Sequence, residues 1–229
     1  MQHINRLAYF NFFFLGVTFS LAGVVPLEIA GKYQVDTYMV GYVFALFTLG
    51  NSLAILGNGC LLDRVNLQKD MIAGLVLICA GIGGTTLLSP NLVIFSCFIL
   101  TYGLGLGILC SIGNYTMVSL YRDEQRTAKL NLLNFFYSCG AVFSPALAGF
   151  LLYFQVTWEA LYQLTLVLVA AICYGLVSAP FSLISRQQPV LSGECSQPWG
   201  VKIYLIGFGL LCYVLSEMIF TYWIYCVSD

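Results

Sequence analysis

Residues 59–70 read GCLLDRVNLQKD, which places Asp63, Arg64, Lys69 and Asp70 in one short stretch of a chain that is only 8% charged. Uncharged runs flank it, from Thr37 to Leu62 and from Met71 to Tyr121. A helix rising 1.5 Å per residue needs about 20 apolar residues to cross a hydrocarbon layer about 30 Å thick. Both flanks are long enough to cross, so the charged stretch reads as the turn between two crossings.

Working outward, the same ruler divides the rest of the 229 residues, of which 60% are hydrophobic. A soluble domain carries about 25% charged residues, so lipid is the expected solvent. Span one lies between Arg6 and Lys32, interrupted only by Glu28 near its far end, and span two between Asp36 and Asp63. The run from Met71 to Tyr121 is too long for one helix, and SPN at 89–91 supplies its break, giving spans three and four. Span five fits between Leu130 and Trp158 and span six between Ala160 and Ser185, with QVTWE (155–159) as the turn between them. After the polar connection SRQQPVLSGECSQPW (185–199), span seven runs from Gly200 to about Cys226. The expected layout is an N-terminal six-helix unit over 1–185, a central cytoplasmic loop over 186–199 and a seventh helix over 200–229.

Basic loops stay on the cytoplasmic side. With the N-terminus inside, the inner segments hold Arg6, Arg64, Lys69, Arg122, Arg126, Lys129, Arg186 and Lys202, and the outer loops hold only Lys32. The expected location is therefore the cell (inner) membrane, multi-pass, with a cytoplasmic N-terminus. The first run is too long for a signal-peptide core and lacks a cleavage site. Ten acidic residues nearly balance nine basic ones, leaving no electrostatic pull toward nucleic acid. All nine cysteines but Cys195 lie in apolar runs without paired spacing and read as small buried hydrophobes, so no metal and no cofactor is expected.

The spacing of Gly59, Asp63, Arg64, Asn66 and Lys69 resembles the loop signature of the major facilitator superfamily, found between the second and third helices. Asn66 stands where the family usually has Gly, and Asn also tolerates a left-handed turn; Leu67 and Gln68 replace basic residues. GCLL at Gly59 and GFLL at Gly149 end spans two and five, which are counterparts in that family's 3+3 inverted repeats. SCGAVFSPALAG (138–149) resembles the bend-forming motif of its fifth helix. Within the superfamily the resemblance is closest to the fucose-permease-like carriers and their TsgA branch, through KLNLLNFFYSCGAVFSPALAGFLL (129–152), GLGLGILCSIGNYTMVSLY (103–121) and WGVKIYLIGFGLLCYVLSEMIFTYWI (199–224). The implied fold is an all-α membrane protein, the N-terminal six-helix bundle of that superfamily plus a seventh transmembrane helix.

The resemblance implies a secondary active transporter of a small solute, working by alternating access and expected to be proton-coupled, as a symporter. It covers the family's first half and one more helix, so the chain is expected to be a truncated form, or a half complemented by a separate C-terminal half. A non-transporting membrane fragment or scaffold stays open as the alternative. Gly59, Asp63, Arg64 and Lys69 would form a conformational latch on the inner face, with Asp123 or Glu124 as candidate partners of Arg64.

Polar residues in mid-span are costly in lipid and face a cavity or a neighbouring helix. Asn131, Asn134 and Ser138 recur at helical spacing on span five and continue to Pro145 as one stripe, open to both readings. On span four, Gly103, Gly107, Cys110 and Asn114 share a narrow face; close packing suits the glycines and a cavity suits Asn114. Glu217 lies in mid-span seven with no Lys or Arg within two turns, so it should be protonated, solvated or paired. Asn114, Asn131, Asn134 and Glu217 are thus the candidate substrate or proton pathway. The sugar-carrying relatives have an embedded acid where Gly23 stands and another where Cys110 stands, which leaves the solute open.

Other classes fit less well. Receptors put their N-terminus outside, and a retinal protein needs a mid-span Lys in span seven, where Lys202 is marginal. An intramembrane hydrolase needs a Ser–His pair or two facing carboxylates, yet the single histidine is His3 and only Glu217 lies deep in a span. No enzymatic activity is expected.

Overall fold

The structure, a computed structural model, describes residues 2–62 and 65–178 together with Leu205, Phe208, Gly209 and Cys212. The chain divides into two units, 1–188 and 189–229. The four described residues of the second unit are helical. Spans one to six fall in the first.

Helices joined by short connections make up the described residues of that unit: α1 (Gln2–Val24), α2 (Pro26–Tyr33), α3 (Thr37–Leu61), α4 (Leu67–Leu87), α5 (Leu92–Leu120), α6 (Asp123–Tyr153) and α7 (Trp158–Ser178). All but α2 are long and apolar enough to cross a membrane, six candidate crossings among the described residues. Their boundaries follow local chemistry. Asn91 caps α5 by accepting from the Ile94 amide at 2.9 Å, so SPN breaks the long run as the sequence suggests. After α6, Gln155 takes a left-handed conformation at φ 62° before α7 begins.

Span one differs from its reading. Pro26 has no amide hydrogen to continue the helical ladder, so the chain restarts there as α2, with Val25 as its N-cap and Gln34, at φ 52°, as its C-cap. Asn66 is a second correction. It sits at φ −70° and ψ 119° as the N-cap of α4, its Oδ1 accepting from the Gln68 amide at 2.9 Å. A capping side chain does here what a left-handed backbone was expected to do.

Contacts at the helix ends show the alternation of the crossings. At the near rim, where the chain starts, the Asn5 amide donates to the Tyr121 hydroxyl. At the far rim, Lys32 Nζ lies 3.0 Å from Glu159 Oε1 and over the Trp158 ring at 4.8 Å. Beside it, the Tyr33 hydroxyl lies 2.8 Å from Ser89 Oγ and 3.0 Å from the Ser89 carbonyl.

α4 packs tightly on α5, and two further tight pairs, α1 with α6 and α3 with α5, complete the bundle. Glycines set both crossings. A Cβ on Gly16 would lie 1.9 Å from the Tyr137 carbonyl oxygen and 2.9 Å from the Ala141 nitrogen; on Gly103 it would lie 2.2 Å from the Phe47 oxygen and 3.1 Å from the Asn51 nitrogen. Gly140 meets Phe13 and Val17 as Gly50 meets Leu100 and Leu104. Every α1 residue in this set maps to α5 at 87 positions on, and every α3 residue to α6 at 90 positions on. The inverted repeat therefore holds in residue register, and Gly59 and Gly149, also 90 apart, belong to the same correspondence.

Candidate functional site

α6 shows three faces at about 100° per residue. Its buried stripe includes Leu133, Ser144 and Ala148 beside Gly140. A greasy stripe of Leu132, Phe135, Phe143 and Phe150 is exposed, as lipid contact requires. Between the two lies a third, also exposed, carrying Asn131, Asn134, Ser138, Val142, Pro145 and Gly149. The helix runs through Pro145 to Tyr153.

Asn131 and Asn134 make no side-chain hydrogen bond to another described residue. Amides left on hydrocarbon would cost several kcal/mol each. The greasy stripe already supplies a lipid face, so the polar one suits a water-filled concavity or a further packed helix.

On α5, Gly103, Gly107, Cys110 and Asn114 do share one side. α3 covers its far half, where Gly103 and Gly107 lie against Phe47, Asn51 and Ala54. Nearer the other rim the cover ends: Asn114 is exposed, and so is Leu61 at the end of α3. Asn114 Nδ2 turns back on its own helix, donating to the Cys110 carbonyl at 3.2 Å with Cys110 Sγ at 3.8 Å. Asn114, Asn131 and Asn134 thus lie in the near-rim halves of α5 and α6, on surfaces that neighbouring helices leave open, and are not bonded to one another. Gly23 and Cys110, where the sugar-carrying relatives have acids, are themselves 87 positions apart and so occupy equivalent places in the two repeats. A Cβ at Gly23 would meet nothing within 4 Å.

Of the latch residues, Gly59 and Lys69 are exposed at the near rim and a Cβ at Gly59 has open space. Asp63 and Arg64 lie outside the described residues, and with them the pairing expected for Arg64; Glu217 lies outside as well. Glu28 is exposed on α2, as its position near the far surface suggests. The reading of the cysteines as buried is corrected: Cys60, Cys79, Cys97 and Cys173 are exposed. An apolar side chain in a bilayer is equally at home facing lipid or core.

The sequence reading passed over the buried polar residues Asn11 and Asn58, 1% and 4% exposed. Asn11 Nδ2 donates to the Leu109 carbonyl at 3.0 Å, tying α1 to α5. Asn58 Nδ2, near the end of α3, and Asp70 Oδ2, in the first turn of α4, are buried, and the Asn58 amide is the hydrogen-bonding neighbour of the Asp70 carboxylate. A lone amide inside an apolar run, such as Asn11 in YFNFFF, was the signal available.

A family model described as Major Facilitator Superfamily matches residues 7–228. The chain belongs to that superfamily. It is a multi-pass membrane protein of a transporter family, and the family is not an enzymatic one. Its relatives include proteins named TsgA homolog. That of Enterobacter sp. (strain 638) is 25% identical, over 98% of this chain and 58% of its own length. That of Edwardsiella ictaluri (strain 93-146) is 26% identical, over 96% and 56%. The chain therefore spans a little over half the length of these curated relatives. A solved structure described as a bacterial homologue of the human drug peptide transporters PepT1 and PepT2 matches with a TM-score of 0.68 at 13% identity, covering 95% of this chain and 49% of that one. That likeness concerns the fold alone.

Proposed function

We propose that this chain forms one wall of the central cavity of a secondary active transporter, which carries a small solute by alternating access and couples it to protons. The observation that carries the reading is the third face of α6, where Asn131, Asn134 and Ser138 are exposed beside a separate lipid-suited face. Asn114 extends the polar wall from α5, and Glu217 is the proposed proton carrier, since an acid in mid-span must be protonated, solvated or paired. A complementing C-terminal half supplies the opposite wall. The N-terminus is cytoplasmic, in the inner membrane, and Gly59, Asp63, Arg64 and Lys69 form the inner latch; the placement of eight of nine basic residues supports that orientation.

Two measurements test this. In a background without native cysteines, a membrane-impermeant thiol reagent should label Asn134→Cys and leave Phe143→Cys unlabelled. In vesicles carrying the chain with its complementing half, a panel of small solutes should include one that drives proton uptake, and Glu217→Gln should abolish that coupling. Equal labelling of both cysteines would remove the cavity; no solute-driven proton movement in either form would favour a non-transporting scaffold.

A further inference from the structure

Asn11 is half satisfied. Its Nδ2 is fixed on the Leu109 carbonyl of α5, while its Oδ1 is buried with no partner among the described residues. An amide oxygen inside an apolar bundle is costly to leave unpaired, and the common solution is an ordered water. Asn11 also lines a small cleft between α1, α4 and α5, walled by Ile4, Leu7, Met71 and Ile112. The second side-chain oxygen on the cleft is Thr116 Oγ1, which donates to the Ile112 carbonyl at 2.7 Å and so keeps its lone pairs for accepting. The free space matches a single water molecule.

We propose that this cleft is a water-binding site: one ordered water donates its two hydrogens to Asn11 Oδ1 and Thr116 Oγ1. The water then works with the Asn11–Leu109 bond. α1 and α5 are the opening helices of the two repeats, and their mutual approach is close, since a Cβ on Gly113 would fall 2.3 Å from the Phe12 ring. The amide and its water join these two helices by hydrogen bonds inside the bundle, as the Asn5–Tyr121 bond does at the near rim. A dry cleft would hold an unpaired acceptor there, and an apolar side chain filling it would then improve the bundle.

Radiolytic labelling reads the water directly. Short X-ray pulses make hydroxyl radicals from bound as well as bulk water, whereas photolysed peroxide makes them in bulk. Met71 lies on the cleft and is 2% exposed, and Met117, 0% exposed and off the cleft, serves as the control. In the purified full chain, X-ray oxidation of Met71 to its sulfoxide should exceed that of Met117 several-fold, while peroxide leaves both at background. Asn11→Leu and Thr116→Val should each return Met71 to the Met117 level. Met71 at background in the unaltered chain would overturn the proposal. So would enhanced labelling that survives both substitutions, and so would a gain in thermal stability on Asn11→Leu with labelling unchanged. Should Asn11→Leu fail to fold, Thr116→Val, which keeps shape and removes only the hydroxyl, still decides it.

Discussion

Gly140→Ala should destabilise the bundle because the space the new methyl needs is filled by backbone. Its Cβ would lie 2.1 Å from the Phe13 carbonyl oxygen, against about 3.4 Å for ordinary contact, so α1 and α6 must separate by about 1.3 Å. No rotamer change can relieve this, since the Val17 nitrogen and Phe13 carbonyl carbon also lie close, at 2.9 and 3.1 Å. Overpacking costs about 1–3 kcal/mol, and a contact held by backbone on both sides belongs at the upper end, about 3 kcal/mol. Ala replacing Gly in a helix returns about 1 kcal/mol of propensity wherever it is placed. Gly149→Ala on the same helix, where a Cβ meets nothing within 4 Å, supplies that term alone. The quantity to measure is therefore the difference between the two variants, by reversible unfolding in mixed micelles with rising dodecyl sulfate, followed by helical circular dichroism.

The repeat makes the test stricter. Severity should follow the closest approach, Gly16 (1.9 Å), Gly140 (2.1 Å), Gly103 (2.2 Å), then Gly50 (2.5 Å). Gly140→Ala combined with Gly103→Ala should add within about 0.5 kcal/mol, because the crossings are separate. Gly16→Ala with Gly140→Ala should cost less than the sum, since both force the same pair of helices apart. If Gly140→Ala is as stable as Gly149→Ala, or if the two crossings fail to behave alike, the register argument is wrong.

Asn66 offers a second check on backbone geometry. As an N-cap it should lose about 1 kcal/mol on Asn66→Ala and little on Asn66→Asp, whereas a left-handed residue at this position would be best served by Gly; chemical denaturation of the three variants separates the cases. At the far rim, a double-mutant cycle of Lys32→Gln and Glu159→Gln should give a coupling under about 1 kcal/mol, for both groups are partly exposed. That coupling should shrink with added salt, and Trp158→Leu should weaken the hold on Lys32 further by removing the ring 4.8 Å from its ammonium group.

How much of this was legible depended on direction. Depth was readable, because the bilayer rewards a fixed number of apolar residues and the charges of GCLLDRVNLQKD and the break at SPN mark where each run ends. Azimuth was not, because these helices are apolar all round and lipid accepts the same side chains as the core. Hence the apolar runs around Cys60 and Cys97 suggest burial, though both face outward. Only residues that lipid penalises, or that are smaller than packing otherwise needs, tell one side of such a helix from another. Asn131, Asn134 and Ser138 revealed the open side of α6 for the first reason. Gly140 marks its buried side for the second, but in a chain with 22 glycines it looks like Gly149, where an added Cβ would meet nothing within 4 Å. What separates the two is the partner 124 positions away, Gly16 on α1, and the same relation repeated at Gly50 and Gly103, 53 apart. A sequence read helix by helix cannot see that relation. A sequence read against itself at offsets of 87 and 90 could have, with the echo of GCLL in GFLL as the point from which to set the register.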